Sequence, residues 1–336
     1  MTSAPIRRVC VVGGAGFIGS HFVARLLAGD VERVTVYDNF TSGRDWHLDP
    51  FRDDPRLSIV RADVVELDRL ADTARDHDTV IHLASNPDIA AAASNPAIDF
   101  DQGTRLTHHV AEAARRAGVT LVLYASGSGV YGDLGTLEAV EDHGPMIPTS
   151  TYGASKLAGE ALLASYAYMF DLTARVFRFG NVVGPHQTHG VGYDFIRRLS
   201  DDPTQLPILG DGQQSKSYVH VDDVVSAVLL AGSLAGSGAG STVGRPFDAF
   251  NVATGDYVTV TEIAELAMQV LGLEPGSTRF EYSGGSRGWR GDIPVVRINT
   301  DKIRSLGWRN ARTGPQALFD SMTSMAADTR AGRFGR

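Results

Sequence analysis

Gly13-Gly14-Ala15-Gly16-Phe17-Ile18-Gly19 is the stretch that decides the fold of this 336-residue chain. The apolar run Arg8–Val12 before it is typical of a buried strand, and the residues after it have the periodicity of a helix. A strand, a glycine turn and a helix in this order are the fingerprint of a dinucleotide-binding fold. Gly13 permits the tight turn, Gly16 lets the backbone approach a pyrophosphate, and Gly19 allows close packing of helix on strand.

Acidic residues end the next two predicted strands. Asp38 follows the strand that begins at Arg33, about 20 residues into the motif, where a carboxylate can accept hydrogen bonds from a ribose 2′-hydroxyl. The same charge would repel a 2′-phosphate, so this residue favours NAD over NADP. Asp63 ends the third strand, where it can accept a hydrogen bond from an adenine amino group.

Predicted strands and helices alternate as far as Phe179, which specifies a parallel, doubly wound sheet of the Rossmann type. The alternation stops after Pro185, and we expect a smaller, mixed α/β substrate domain in the C-terminal half. We assign residues 1–180 to an NAD-binding domain, with returning segments at about 216–254, and residues 181–215 and 255–336 to a substrate-binding domain. The Gly- and Ser-rich residues 235–244 predict a flexible surface loop.

Tyr152 and Lys156 lie four residues apart, where a helix is predicted to begin. Thr149, Ser150 and Thr151 are all candidates for its N-cap. Positions i and i+4 share one face of a helix, so the two side chains would point the same way. An ammonium beside a phenol favours the phenolate and lowers a pKa that is ordinarily about 10. The pair is therefore a candidate for proton transfer, and the alternative is a surface Tyr and Lys on an ordinary helix.

The charge, the cysteine content and the hydropathy of the chain exclude several classes of protein. The net charge is −8, which argues against nucleic acid or an anionic membrane as partner. Cys10 is the one cysteine, so the chain contains neither a disulfide framework nor a cysteine-based metal site, and we expect no metal. No apolar stretch approaches the ~20 residues that span a bilayer, and no signal segment follows Arg7 and Arg8. We expect a cytoplasmic protein.

The motifs of this chain, taken together, resemble those of the extended short-chain dehydrogenase/reductase family. Within that family the chain is similar to nucleotide-sugar-modifying enzymes such as UDP-glucose 4-epimerases. The resemblance runs from Val9 to Trp308, nearly the whole chain. The motifs that carry it arrive in the family's order: Gly13–Gly19, Asp38-Asn39, Asp63-Val64, His82-Leu83-Ala84, Val130-Tyr131-Gly132, Tyr152–Lys156, Arg178–Pro185 and Tyr218–Val221.

The resemblance implies an NAD-dependent 4-epimerase that works through a transient 4-keto sugar. Tyr152 would be the acid/base on the 4-hydroxyl, and Lys156 would lower its pKa and hold the nicotinamide ribose. The cofactor-binding residues that the resemblance implies are Gly13, Gly16, Phe17, Ile18, Gly19, Asp38, Asn39, Asp63, Val64, Leu83, Ala84, Tyr152 and Lys156.

The resemblance also implies a nucleotide-diphosphate sugar as substrate, most simply a UDP-hexose, with UDP-N-acetylhexosamine or UDP-uronate left open. Asn181 would bind it near the diphosphate, and Lys216 with Arg287 or Arg290 would neutralise the phosphates. Val296, where related epimerases often carry a bulkier residue, predicts some tolerance for an N-acetyl group. The helix from Thr104 and the helix from Tyr152 would form a four-helix interface in a homodimer.

Two departures from the family pattern concern the active site. The usual catalytic Ser or Thr is replaced by Gly127, so Ser126, which borders that position, is the preferred source of the missing hydroxyl and Ser128 the second. A third possibility is that Tyr152 works without a hydroxyl partner. The family's Asn-Val-x-Gly-Thr appears here as Phe100–Thr104.

The glycine-rich loop also separates this chain from related reactions. The 4,6-dehydratases place Asp and Glu where this chain has Ser128 and Gly129, so dehydration is disfavoured. It remains the alternative, with Glu138 or Glu141 as the carboxylate. A 4-ketoreductase using NADPH is disfavoured by Asp38. A non-catalytic NAD-binding protein is disfavoured by the Tyr–Lys pair.

Overall fold

The computed structural model describes residues 6–235, 245–289 and 291–333. The predicted loop therefore lies, apart from Ala235, outside the described residues. The strands are β1 Arg8–Val12, β2 Arg33–Asp38, β3 Leu57–Arg61, β4 Thr79–His82, β5 Leu121–Gly127, β6 Glu138–Ala139, β7 Thr173–Phe179, β8 Asn181–Val183, β9 Gln205–Ile208, β10 Ser215–Lys216, β11 Tyr218–His220, β12 Phe247–Val252, β13 Val258–Thr259, β14 Arg279–Tyr282 and β15 Arg297–Ile298.

The α-helices frame this set of strands. They are α1 Phe17–Leu27, α2 Leu67–Ala74, α3 Arg105–Ala117, α4 Thr151–Met169, α5 Val191–Asp201, α6 Val221–Ser233, α7 Val260–Leu271, α8 Asp301–Ser305 and α9 Gly314–Arg330. None of the helices in the described part of the chain combines the length and the hydropathy needed to cross a bilayer.

A seven-stranded parallel sheet forms the centre, in the order β12-β7-β5-β4-β1-β2-β3. Helices cover both of its faces, so the Rossmann-type, doubly wound fold is confirmed. The four residues of β1 after Arg8 are apolar because both faces of the strand are covered: Val9 and Val11 join the core under α1 and α6, whereas Cys10 and Val12 join the core under α2, α3 and α4. Alternate residues of a strand point to opposite faces, and both faces are dry here.

A second core lies among α5, α7 and α9, with Phe195, Ile263 and Met322 at its centre. Within the segments that we expect to return to the sheet, β12 pairs with β7 and α6 packs in the core of the sheet. One difference concerns the C-terminal part. Ile303 and Trp308 pack into the core of the sheet, although residues 255–336 were assigned to the second domain. The partition into two domains otherwise stays a prediction.

The helix that carries Tyr152 begins as the sequence predicts. α4 starts at Thr151, and Ser150 is its N-cap because the Ser150 hydroxyl accepts the Gly153 N–H at 3.1 Å. α3, on which the predicted dimer interface also depends, begins one residue after a π-helical turn over Phe100–Thr104.

The glycine turn after β1 is as tight as the motif requires. Gly13 has φ +86°, a conformation that L side chains rarely adopt. Gly19 faces this turn, and a Cβ on it would lie 2.2 Å from the Gly13 carbonyl oxygen. The first turn of α1 therefore touches the backbone that leaves β1, and only glycine fits.

We predict that Gly19→Ala destabilises the protein by roughly 2–3 kcal/mol or more, because the added methyl meets backbone that cannot move aside. Gly29→Ala, after the end of the same helix, is the matched control, since a Cβ there has its nearest contact at 3.5 Å. Urea unfolding of both variants measures the difference. Equal stabilities would contradict the close packing of α1 on β1.

Candidate active site

The carboxyl ends of β1, β4 and β5 and the start of α4 meet at one edge of the sheet. Gly13 lies against the exit of β4, because a Cβ on it would lie 2.8 Å from the Ala84 nitrogen. Gly129, in the loop after β5, lies against α4, where a Cβ would be 3.6 Å from the Gly153 Cα. The glycine turn and the Tyr–Lys helix therefore border the same site.

The first turn of α1 is built to receive an anion. Gly16 is its N-cap in an extended conformation, and Phe17 and Ile18 open the helix at half-buried positions. The first N–H groups of a helix have no partner within it, and the helix dipole adds positive potential at this end. This arrangement fits a pyrophosphate.

Asp38 braces the glycine turn from the end of β2. One carboxylate oxygen accepts the Ala15 N–H at 2.9 Å and the other accepts the Phe40 N–H at 2.7 Å. Burial raises the pKa of this carboxyl, and the two backbone hydrogen bonds oppose that rise. Each oxygen can accept a further bond, so Asp38 keeps the capacity to bind ribose hydroxyls.

The next predicted cofactor residues form a local network. Asp63 accepts the Asn39 side-chain amide at 2.9 Å and the Val65 N–H at 3.0 Å, and Val64 is buried beside it. Leu83 and Ala84 both donate their backbone N–H groups to the Val12 carbonyl, at 2.9 and 3.1 Å. Their contact with a cofactor remains a prediction.

Tyr152 and Lys156 lie on one face of α4, as their spacing predicts. The Lys156 ammonium lies 5.4 Å from the centroid of the Tyr152 ring and donates a hydrogen bond to the Ala125 carbonyl at 2.9 Å. Only 3% of Lys156 is exposed. The pair is therefore inside the site and is not a surface feature.

The pKa values of the pair are set by burial. The pKa of Tyr152 is raised to about 12, first by burial and then by the Asp99 charge, and a hydrogen bond with Ser85 opposes the rise. Burial lowers the pKa of Lys156 to about 8, against the charges of Asp99 and Glu160. The sequence predicts that the ammonium lowers the pKa of the phenol; in this structure that pKa is instead raised, chiefly because burial desolvates the phenolate.

The preference for Ser126 as the missing hydroxyl does not hold in this structure. Its hydroxyl donates to the Glu160 carboxylate at 2.6 Å, inside a buried network. Ser128 is half-buried, and its hydroxyl has no hydrogen-bond partner among the residues that the structure describes. Gly127 is extended, and a Cβ on it would have no atom within 4 Å. Of the two serines, Ser128 is therefore the one free to act.

The predicted substrate cations are already paired with carboxylates. Lys216 forms an ion pair with Asp292 at 2.6 Å. Arg287 forms one with Asp133 at 2.8 Å and donates to the Asp292 carbonyl at 3.0 Å. Arg290 lies outside the described residues. The structure thus places Lys216 and Arg287 around one aspartate, and their role toward a diphosphate stays a prediction.

Two further predicted substrate residues lie on neighbouring segments. Asn181 begins β8 with an exposed side chain, and its backbone N–H donates to the Ser217 carbonyl at 2.9 Å. Val296 is half-buried and donates its backbone N–H to the Ser215 carbonyl at 3.2 Å. Both therefore flank β10, which carries Lys216.

Sequence reasoning missed two polar residues beside the phenol. Ser85, after β4, forms a hydrogen bond with Tyr152. Asp99 is 1% exposed and accepts hydrogen bonds from Asn86 and Thr151. Asp99 is the helical residue just before the π-helical turn, where the 3.6-residue period is broken, so periodicity would not have predicted its inward direction. No group of three or more His, Cys, Asp and Glu side chains is arranged to hold a metal within the described ranges.

Comparison with known families gives a match that spans most of the chain. Residues 9–244 match the model described as the NAD dependent epimerase/dehydratase family. The chain belongs to this family. The resemblance inferred from the motifs is thereby confirmed.

Relatives and solved structures agree with the match. The UDP-glucose 4-epimerase of Mycolicibacterium smegmatis is 35% identical over 90% of this chain and 93% of its own length. A crystal structure of a UDP-galactose 4-epimerase is 35% identical, covers 96% of this chain and 99% of its own, and superposes with a TM-score of 0.83. A dTDP-glucose 4,6-dehydratase from Streptomyces venezuelae, solved with NAD bound, is 28% identical, covers 96% and 98%, and has a TM-score of 0.85.

NAD is the cofactor of this family member, and the glycine turn fits it. A side chain at Gly13 or Gly19 would collide with backbone, so the close packing of the turn and the first turn of α1 requires glycine at both positions. Asp38 stands at the adjacent strand end with its carboxylate held in place by the turn itself. This is the donor and acceptor set that a pyrophosphate and an adenosine ribose require.

Lys156→Met tests the burial of the ammonium through the stability of the fold. The lysine has a pKa of about 8 in the folded protein and an ordinary value of 10.5, so between these values only the unfolded chain keeps the proton. The free energy of unfolding therefore increases as the pH rises through that window, by on the order of 3 kcal/mol, because the folded protein no longer has to bury a charged ammonium. The methionine variant lacks this gain.

The measurement is urea unfolding of both proteins at intervals from about pH 7 to the ordinary pKa of lysine. The difference in unfolding free energy, wild type minus variant, should rise with pH. A constant difference would show that the ammonium is not withdrawn from water.

Proposed function

We propose that this protein is an NAD-dependent nucleotide-sugar 4-epimerase, acting on a UDP-hexose. The observation that carries the proposal is the position of the half-buried Tyr152 and the buried Lys156, at the same sheet edge as the glycine turn, beside a loop without carboxylates at Ser128 and Gly129. Proton transfer at a sugar hydroxyl needs the pair. Removal of water from the sugar would need carboxylates that this loop lacks.

Each group in the site has a separate role in epimerisation. NAD supplies a hydride acceptor and donor at C4 of the sugar. Tyr152 takes the proton of the 4-hydroxyl while C4 is oxidised to a ketone, and returns it to the 4-oxygen when C4 is reduced from the opposite face. Lys156 donates to the Ala125 carbonyl and lies 5.4 Å from the centroid of the Tyr152 ring, where its positive charge offsets part of the rise that burial imposes on the pKa of the phenol. The sugar gains and loses equal numbers of electrons.

Ser128 supplies the hydroxyl that polarises the 4-oxygen, since Ser126 is bound to Glu160. Lys216 and Arg287 bind the diphosphate by exchanging their carboxylate partners for phosphate oxygens, and Asn181 hydrogen bonds beside them. Val296 leaves room for an N-acetyl group at C2 of the sugar. The relatives named UDP-glucose and UDP-galactose 4-epimerase support a uridine nucleotide.

Dehydration is the second candidate, because a dTDP-glucose 4,6-dehydratase shares the fold over nearly the whole chain. Its carboxylate would come from Glu138 or Glu141. The Glu141 carboxylate accepts the Asn251 N–H at 2.8 Å, and Glu138 is exposed on β6 next to Asn299. Neither observation favours a role in elimination over epimerisation. A 4-ketoreductase remains disfavoured by Asp38.

The protein forms a homodimer through α3 and α4 in this proposal. α4 presents Ala161 and Tyr168 to solvent and keeps Leu157 and Ala164 half-buried, which gives an apolar stripe available to a second copy. Phe100 is exposed just before α3 and extends the apolar surface. We place the protein in the cytoplasm, whose reducing conditions suit its single, buried cysteine.

The test is incubation of the purified protein, without added cofactor, with UDP-, dTDP-, GDP- and CDP-sugars, followed by NMR. We expect inversion at C4 of UDP-hexoses and slower inversion of their N-acetyl analogues. Tyr152→Phe should lower the rate by roughly 10²–10⁴-fold. Loss of one water would identify a dehydratase, and a requirement for stoichiometric NADPH would identify a ketoreductase.

The two serines give a matched pair of variants. Ser128→Ala should lower kcat by roughly tenfold or more without changing the unfolding free energy, because its hydroxyl serves only the substrate. Ser126→Ala should instead cost about 1.5–3 kcal/mol of stability, because Glu160 loses a buried donor. Steady-state kinetics and urea unfolding separate the two effects. A larger kcat loss in Ser126→Ala would reverse the assignment.

A further inference from the structure

Asp99 is a buried carboxylate next to the Tyr–Lys pair that the proposed chemistry does not use. One oxygen accepts the Asn86 side-chain amide at 3.0 Å, and the other accepts the Thr151 hydroxyl at 2.7 Å. Asn86 follows β4, and Thr151 is the first residue of α4 and the neighbour of Tyr152. Asp99 therefore ties the end of a central strand to the helix turn that carries the phenol.

The chain reaches this position by a local departure from the family pattern. Phe100 stands where the pattern has an asparagine, yet its side chain is 61% exposed, whereas Asp99 is 1% exposed. The π-helical turn that starts at Phe100 packs on α4, since a Cβ on Gly103 would lie 2.6 Å from the Ser155 hydroxyl. The inward polar group is thus a carboxylate, contributed one residue earlier.

Asp99 makes no direct ion pair with a cation among the described residues. Its two donors are neutral. The other anion facing the pair, Glu160, is neutralised by Arg178 at 2.7 Å. Burial and the Lys156 charge lower the pKa of His82, on β4, to about 3, so this ring is neutral.

We propose that Asp99 is a positioning residue: its buried carboxylate holds the first turn of α4 in place and supplies the negative charge that balances Lys156 beside Tyr152. The proposal rests on Tyr152 and Lys156 being the acid/base pair of the proposed function. A negative charge beside them raises the pKa of both groups, so Asp99 keeps the ammonium charged and sets the pH above which Tyr152 can accept the proton of the 4-hydroxyl.

Asp99→Asn removes the charge and preserves the contacts. The new amide oxygen accepts from Asn86, and the Thr151 hydroxyl turns to accept from the new N–H. Thr151→Val is the matched control, because it removes one hydrogen bond and keeps the charge. In proteins labelled with ¹³C-tyrosine and ¹³C-lysine, NMR titration follows both groups without substrate, and Tyr152→Phe and Lys156→Met assign the signals.

Loss of the Asp99 charge and a simple loosening of the site would change the pKa values of Tyr152 and Lys156 in different directions. If Asp99 acts through its charge, Asp99→Asn lowers the pKa of Tyr152 and that of Lys156 together, each by about one pH unit. If Asp99 is only structural, water enters, and the pKa of Tyr152 falls while that of Lys156 rises. The second pattern, or no movement, would overturn the proposal. Thr151→Val should leave both titrations close to wild type.

Turnover provides a separate readout. In Asp99→Asn the acidic limb of the kcat profile should move to lower pH, because the phenolate forms more easily, with up to about a tenfold gain in relative rate below the limb. An unmoved limb would contradict the role of Asp99 in catalysis. If no nucleotide sugar is epimerised while both titrations still fall together, the proposed function fails and the electrostatic role of Asp99 stands.

Discussion

The buried ion pair of Glu160 and Arg178 holds the active site to the sheet. Both side chains are 4% exposed, and Arg178 on β7 meets Glu160 on α4 with two donors. Ser126 on β5 donates to the same carboxylate, and Arg178 also donates to the Tyr131 hydroxyl. Removal of one partner from such a pair typically costs 3–5 kcal/mol. This ion pair therefore connects α4 to β5, β7 and the loop after β5. Glu160 lies four residues after Lys156 on α4.

The parts of the molecule that follow from periodicity were predictable from the sequence. The glycine motif, the alternation of strands and helices, and the pairing of Tyr152 with Lys156 depend on spacing within one element. The inward turn of Ser126 and the burial of Asp99 depend on which face a residue presents at the very end of a strand or in a π-helical turn, and neither pattern is periodic. The pairing of Lys216 with Asp292 joins residues 76 positions apart, which no local motif reveals.

The pair also shows how desolvation competes with attraction. A lysine lowers the pKa of a neighbouring tyrosine only to the extent that its charge survives burial. Here burial pushes both groups toward their neutral forms, raising the pKa of Tyr152 to about 12 and lowering that of Lys156 to about 8. The spacing of two residues on a helix therefore determines their geometry but not their pKa values. The surrounding carboxylates and the depth of the site decide the chemistry.

Gly127 leaves an unoccupied space in the site that a ligand could fill. Its extended backbone could carry any side chain, yet the space beyond its Cα is clear for 4 Å. A serine or threonine at this point, as the family pattern has it, would occupy that space. An inhibitor bearing an added methyl group directed at Gly127 would meet no steric barrier in this enzyme and would clash with such a side chain. A single missing side chain thereby offers a basis for selective inhibition.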